Sequence, residues 1–150
     1  MSETCLDTPR GSEGRAAARD RPGVYDDYVV CDLTALGDDE RERLCAEPPN
    51  CLTTVAALGF DDLPPDAFAE AYGLIADDGW VAFNIKADFL EGDDSTGFRQ
   101  LIARMIESTA LDVRARRRYR HRLSMQRDPL DYVALVGRKR SHGGRFPSAT

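Results

Sequence analysis

The sequence predicts an α/β fold in which mostly parallel strands alternate with helices and an antiparallel hairpin closes the chain. Three observations predict it. Nearly continuous apolar, β-favouring runs occur at residues 28–31, 51–58 and 80–85, the pattern of interior strands buried on both faces. Helical patterns separate these runs by short connections, and a strand–helix–strand succession demands a crossover and therefore parallel pairing. Finally, "LDVRARRRYRHRLS" and "DYVALVG" flank the turn "QRDPL" closely enough to form a hairpin at a sheet edge.

Residues 1–22 hold small, charged and turn-forming types with hardly any large apolar side chain, so they are expected to be a flexible segment. A short helix across "SEGRAAARD" is compatible with this stretch: Ser12 caps it, Glu13 suits its positive end, and Pro22-Gly23 stops it. The folded domain is expected over residues 23–140. Its first strand is the run 28–31, and the polar helix "DDERERLCA" follows, with Asp38 and Asp39 near its start and "EPPN" breaking it. The second strand, "CLTTVAAL", ends at Gly59. In "LPPDAFAEAYGLIADDGW" prolines open a helix, Phe68, Ala71, Tyr72 and Ile75 recur at helical spacing, and Asp78-Gly79 close it before the strand "WVAFNI". Beyond the loop "EGDDSTG", a further amphipathic helix places Phe98, Leu101, Ile102, Met105 and Ile106 on one face. Residues 141–150 have no core pattern and read as a flexible tail.

With 150 residues, 42% of them hydrophobic, the chain is long enough for one domain with a single core. No apolar run approaches the roughly 20 residues of a membrane-spanning helix, and Glu3, Asp7 and Glu13 stand where a signal peptide would be apolar, which points to the cytoplasm. The four cysteines form no C-x-x-C pair, and neither His121 nor His142 stands at a ligand spacing from them, so no metal site is expected. Cys31 and Cys51, inside apolar runs, read as small core residues. A formal net charge of −6 disfavours non-specific binding to nucleic acid or to anionic lipid.

The strand of "YDDYVVCDLTAL", ending in an acidic residue, and the helix, tight turn and strand of "AFAEAYGLIADDGWVAFNIK", followed by the hairpin, resemble class I (Rossmann-like) S-adenosylmethionine-dependent methyltransferases. The resemblance spans residues 23–140. It makes residues 28–31 the family's third strand, includes its fourth in the run 51–58, makes 80–85 its fifth, and gives the two C-terminal runs as its sixth and seventh. A partial Rossmann-like methyltransferase sheet follows, with S-adenosylmethionine as cofactor and a small-molecule or protein methyl acceptor. The resemblance also implies site residues. Asp32, at the end of the third strand, would accept a hydrogen bond from the adenine amino group, with Leu33 packing near the ring. Thr54, like Thr53, lies beside the expected cofactor cleft, and Asn84 and Lys86 project beyond the fifth strand to face a substrate. Each has a plainer alternative: Asp32 as a turn cap, the threonines as packed strand residues, Lys86 as a solvated lysine.

Family members also begin with a strand, a glycine-rich turn and a helix, then a second strand whose terminal acid binds the cofactor's ribose hydroxyls. The sequence offers only "CLDTPRGSEGRAAA" for that turn, where Leu6-Asp7 precedes Gly11 and Gly14 at the wrong spacing and Pro9 stands where a tight turn should begin. Too few residues precede Tyr28 for a second strand and its helix. The resemblance therefore implies a truncated enzyme, weak or inactive as an isolated chain. In the family's sheet the first strand lies between the third and fourth, so its absence implies unpaired edges, marginal stability, and a complementary subunit or self-association.

A second reading rests on Arg114, Arg116, Arg118, Arg120 and Arg122, whose period-two spacing puts five cations on one face of a strand and turns Arg117 the other way. Such a row suits a non-catalytic module that grips phosphates or an acidic protein. It equally suits an edge strand protected from pairing, its charges offsetting nearby acids. Tyr119 and His121 do not make the aromatic surface of a single-strand RNA binder.

Overall fold

The computed structural model describes residues 4–7, 20, 22–25, 27–59, 63–92 and 94–141. Its elements in chain order are β1 (Thr4–Asp7), β2 (Asp27–Val30), α1 (Asp38–Ala46), β3 (Cys51–Leu58), α2 (Pro65–Leu74), β4 (Trp80–Lys86), α3 (Asp88–Glu91), α4 (Phe98–Glu107), β5 (Leu111–Leu123) and β6 (Pro129–Lys139). The expected short helix over 12–20 lies, apart from Asp20, outside the described residues. So do Pro9, Gly11, Gly14 and the tail beyond Ser141.

The strands form two sheets. β1 and β2 pair in parallel, with Thr4 opposite Asp27 and Asp7 opposite Val30. The larger sheet runs β3-β4-β6-β5, parallel between β3 and β4 and antiparallel across the hairpin. The α/β class, the parallel pairing and the terminal hairpin are thus as the sequence predicts. Within the segment 1–22, expected to be flexible, Thr4–Asp7 form a strand. A four-residue strand needs little chain, and residues 8–26 are long enough for the crossover that a parallel neighbour requires.

Helix α2 holds these parts together because it buries two sides. Phe68, Tyr72 and Ile75 pack with Val81, Phe83 and Ile85 of β4, with Val133 and Leu135 of β6, and with Phe98, Leu101, Ile102 and Met105 of α4. Phe68 meets Phe83 and Phe98 edge-on, with ring centroids 5.1 and 6.3 Å apart, a favoured aromatic geometry. On its other side Ala67, Ala71 and Leu74 pack with Val29, Cys31 and Leu33, which tie the β1–β2 pair to the rest of the molecule. Pro65 opens the helix at its first turn, where a missing N–H costs nothing. The Nζ of Lys139 closes it by donating to the carbonyls of Gly73 and Ile75 at 3.0 and 2.5 Å. At Gly79 a Cβ would lie 2.6 Å from Ile75 Cγ2 and 2.8 Å from the Ala76 carbonyl oxygen, so only glycine fits this tight helix-to-strand turn.

Helices α2 and α4 cover one face of the large sheet, and among the described residues no helix covers the opposite face. Register places Cys51, Trp80 and Arg138 in one row across it and Thr53, Ala82 and Val136 in the next. Val55 is 73% exposed, Trp80 44% and Val136 36%. Cys51 is exposed as well, which corrects the expectation that it is a core residue. β3 is an edge strand with an open face, whereas its unbroken apolar run reads as an interior one. Ile106 is likewise more exposed than its place in the helical pattern predicts. It follows that Phe68→Ala should destabilise the fold by about 3–5 kcal/mol through a core cavity, while Val55→Thr should shift stability by no more than about 0.5 kcal/mol. Urea denaturation with an unchanged m-value checks both.

Candidate functional site

In open α/β sheets ligands bind beyond the carboxyl ends of the parallel strands. β1 and β2 run side by side to Asp7 and Val30, so the backbone brings Asp7 and the Asp32 loop to neighbouring strand ends. The carboxylate of Asp32 is exposed and fixed by its own loop. Its Oδ1 accepts from the Thr34 N–H at 2.9 Å and from the Thr34 hydroxyl at 2.6 Å. Hydrogen bonding from Thr34, side chain first and backbone second, holds its carboxyl below the usual carboxylate range. The second oxygen, Oδ2, takes no part in these bonds, and the residue is exposed. Asp32 thus serves as the turn cap of the plainer reading while keeping an acceptor for a ligand.

The other expected cofactor residues are placed differently. Leu33 is buried against Ala67, Ala71 and Leu74. Thr54 sits opposite Phe83, on the helix-covered face, and its buried Oγ1 finds no hydrogen-bond partner among the described residues. Leu33 lies in the loop after β2 but is turned into the core, and Thr54 lies within β3. Close by, burial pushes the Cys31 thiol up, followed by the charges of Glu40 and Asp32, so this cysteine stays a protonated packing residue.

Asn84 and Lys86 share the open face of the large sheet, two residues apart on β4. Asn84 lies within the strand, not beyond it, and is 8% exposed. Its Oδ1 accepts from the Ala56 N–H at 2.5 Å, and its Nδ2 donates to the Tyr119 hydroxyl at 2.7 Å. The first bond answers an irregularity in β3: the register with β4 shifts between Thr54 and Leu58, and Ala56 takes φ 55°, a conformation costly for a residue with a Cβ. Lys86 ends the strand and pairs with Asp88 at 2.6 Å. Sequence reasoning missed Tyr119 as a partner of Asn84, because a contact between β4 and β5 across β6 leaves no local signature. It also missed Asp7 as a strand-end acid, though Leu6-Asp7 carried the signal.

The arginine row is broken by two bulges. Register shifts lie between Val113 and Ala115 and between Arg120 and Arg122, so only Arg116, Arg118 and Arg120 keep one parity. Arg116 and Arg118 each reach Glu91 at 2.8 Å, and Arg118 also pairs with Asp131. Arg114 instead joins Asp112, which Arg140 also holds. The five-cation stripe therefore does not exist. β5 is a charged edge strand whose helix-side arginines offset nearby acids.

No family model matches the chain, and no curated protein sequence matches it. Solved structures do. The N-methyltransferase NodS from Bradyrhizobium japonicum WM9 superposes with a TM-score of 0.58 at 18% identity, over 92% of this chain and 73% of its own. The same enzyme in complex with S-adenosyl-L-homocysteine gives 0.55 at 19% identity, over 91% and 65%. The fold is that of a class I S-adenosylmethionine-dependent methyltransferase, in part. A SAM-dependent methyltransferase from Methanosarcina mazei gives 0.55 at 10% identity, over 93% and 83%.

The Asp32 geometry has a pH consequence. Its folded pKa is depressed, so the stability it contributes is present above the unfolded carboxylate value near 3.8 and is lost as pH falls through the lower folded value. Carboxylate NMR should show Asp32 titrating below that value in the native chain, and returning toward it in Thr34→Val, which removes the hydroxyl donor.

Proposed function

We propose that the chain is a cytoplasmic S-adenosylmethionine-dependent methyltransferase of which these residues form the adenosine-holding side of the donor site. One observation carries the reading: two adjacent parallel strands of a methyltransferase fold end at Asp7 and next to Asp32. If β1 stands for the strand before β2 in that fold, Asp7 would be the acid that binds ribose hydroxyls, and Oδ2 of Asp32, which its loop does not engage, would accept from the adenine amino group. The absence of a membrane-spanning helix among the described residues and the free thiols of Cys31, Cys45 and Cys51 are compatible with this reading.

The fit to the donor's other end is poor. A glycine-rich turn lets backbone N–H groups approach a carboxylate closely, and no such turn stands among the described residues beside β3. When bound, S-adenosylmethionine supplies a methyl group already activated by its sulfonium. The chain's own contribution is then positioning, and it positions only the adenosine half. A further polypeptide segment, pairing with the unprotected edge of β3, would complete the cleft.

Isothermal titration tests this reading. The isolated chain should bind S-adenosylmethionine and adenosine weakly and with affinities within about threefold of each other, because only the shared moiety is held. Asp32→Asn should weaken both by about tenfold, the scale of one charge-assisted hydrogen bond. Binding of S-adenosylmethionine about a hundredfold tighter than adenosine would show that the methionine end is held after all. Failure of both ligands to bind at millimolar concentration removes the donor reading itself.

A further inference from the structure

The open face of the hairpin carries a cluster that the donor site does not use. Tyr119 lies opposite Tyr132 in the register, Arg117 opposite Ala134, and Arg122 opposite Leu130, so these side chains share the face on which Asn84 and Lys86 stand. The His121 ring falls in the bulge between Arg120 and Arg122 and lies 4.4 Å from the Tyr132 ring and 6.0 Å from that of Tyr119. Tyr132 is buried beneath this group, while His121 is exposed.

Three features of this cluster select a ligand. The first is a donor. Asn84, nine-tenths buried and anchored to Ala56, gives its N–H to the Tyr119 oxygen, so that oxygen accepts and the phenolic proton is left to donate to another acceptor. The second is charge. Arg114, Arg116, Arg118 and Arg140 are engaged with carboxylates, but Arg117 and Arg122 form no ion pair among the described residues. The third is an exposed aromatic shelf, the His121 imidazole, tilted 39° from the buried Tyr132 ring, against which a planar ligand can stack.

We infer that this open face of the hairpin is a binding site for a small aromatic acid, its anionic oxygen held by the Tyr119 hydroxyl and Arg117 and its ring against His121. An aliphatic acid would forgo the shelf, and a neutral aromatic would forgo the charge. The site lies on the face where Asn84 and Lys86 were expected to meet the methyl acceptor. Resting on the proposed function, it therefore names the acceptor's class: an aromatic acid.

The test uses the full chain without donor and three probes, benzoate, acetate and benzamide, each titrated by isothermal calorimetry. Benzoate should bind at least about tenfold more tightly than either of the others. Tyr119→Phe and Arg117→Gln should each weaken benzoate by about tenfold, while Arg116→Gln, on the helix-covered face, should leave it unchanged. Thermal melts matching the parent chain establish that the variants fold, and Arg117→Gln serves alone if Tyr119→Phe disturbs Asn84. The inference is overturned if benzoate does not bind, if acetate binds equally well, or if Arg116→Gln costs as much as Arg117→Gln. Because no donor is present, benzoate binding in a chain that ignores adenosine would defeat the donor reading and leave this site standing.

Discussion

The two-sided burial of α2 is the constraint on which the rest of the molecule depends. A two-stranded parallel sheet has too little apolar surface to persist alone. The β1–β2 pair persists because Val29, Cys31 and Leu33 meet Ala67, Ala71 and Leu74 on the side of α2 that faces away from β4. The small side chains allow close approach there, and the large ones, Phe68 and Tyr72, fill the space over the main sheet. An ion pair from Arg41 of α1 to Glu70 of α2 and another from Arg43 to Asp27 lie at the surface, where such pairs add little. The position of Asp32 relative to the open strand ends therefore rests on apolar packing.

The large sheet has two edges of opposite character. β5 carries arginines and two bulges, the devices by which an edge resists pairing with another chain. β3 reads "CLTTVAAL", without charge or proline, and next to its open edge lie Val55 and Trp80 on an uncovered face. A parallel pair such as β3–β4 is ordinarily covered on both faces. The irregularity at Ala56, held by Asn84, is the only interruption along the β3 edge, and it falls at the carboxyl end, where the ligand sites of this fold lie.

Legibility in the sequence followed the range of the interactions. α1 is bounded where its acidic start and proline stop predict, and α2 and α4 show their buried faces through 3.6-residue periodicity, a local property. The hairpin was legible because its two strands are separated by a short turn. β1 was not, since four residues in a polar stretch carry no periodicity and gain their partner only through a crossover. The exposure of Cys51 was hidden for the related reason that an apolar run does not reveal whether a neighbour covers it. The bulges at Arg114 and His121 decide which arginines share a face, and a regular alternation of residue types conceals them. At the site, Asp32 was visible as an acid after a strand. The roles of Thr54 and Asn84 were not, because side-chain direction depends on a register that only the paired strand supplies.

On the proposed reading, binding and catalysis separate in this chain for a physical reason. Methyl transfer to a nucleophile is accelerated mainly by alignment, and the gain, up to about 7–11 kcal/mol for well-oriented partners, depends on holding both reacting atoms in line. The ends of β1 and β2 would hold only the adenosine end of a donor and leave its sulfonium without a wall to fix it. An acceptor on the hairpin face would then meet a methyl group that is present but not aimed. The adenosine contacts act equally in the ground and transition states, and such uniform binding raises occupancy without accelerating the chemical step. Whatever covers the β3 edge thus contributes more than stability, because the wall it adds is the one that converts occupancy into alignment.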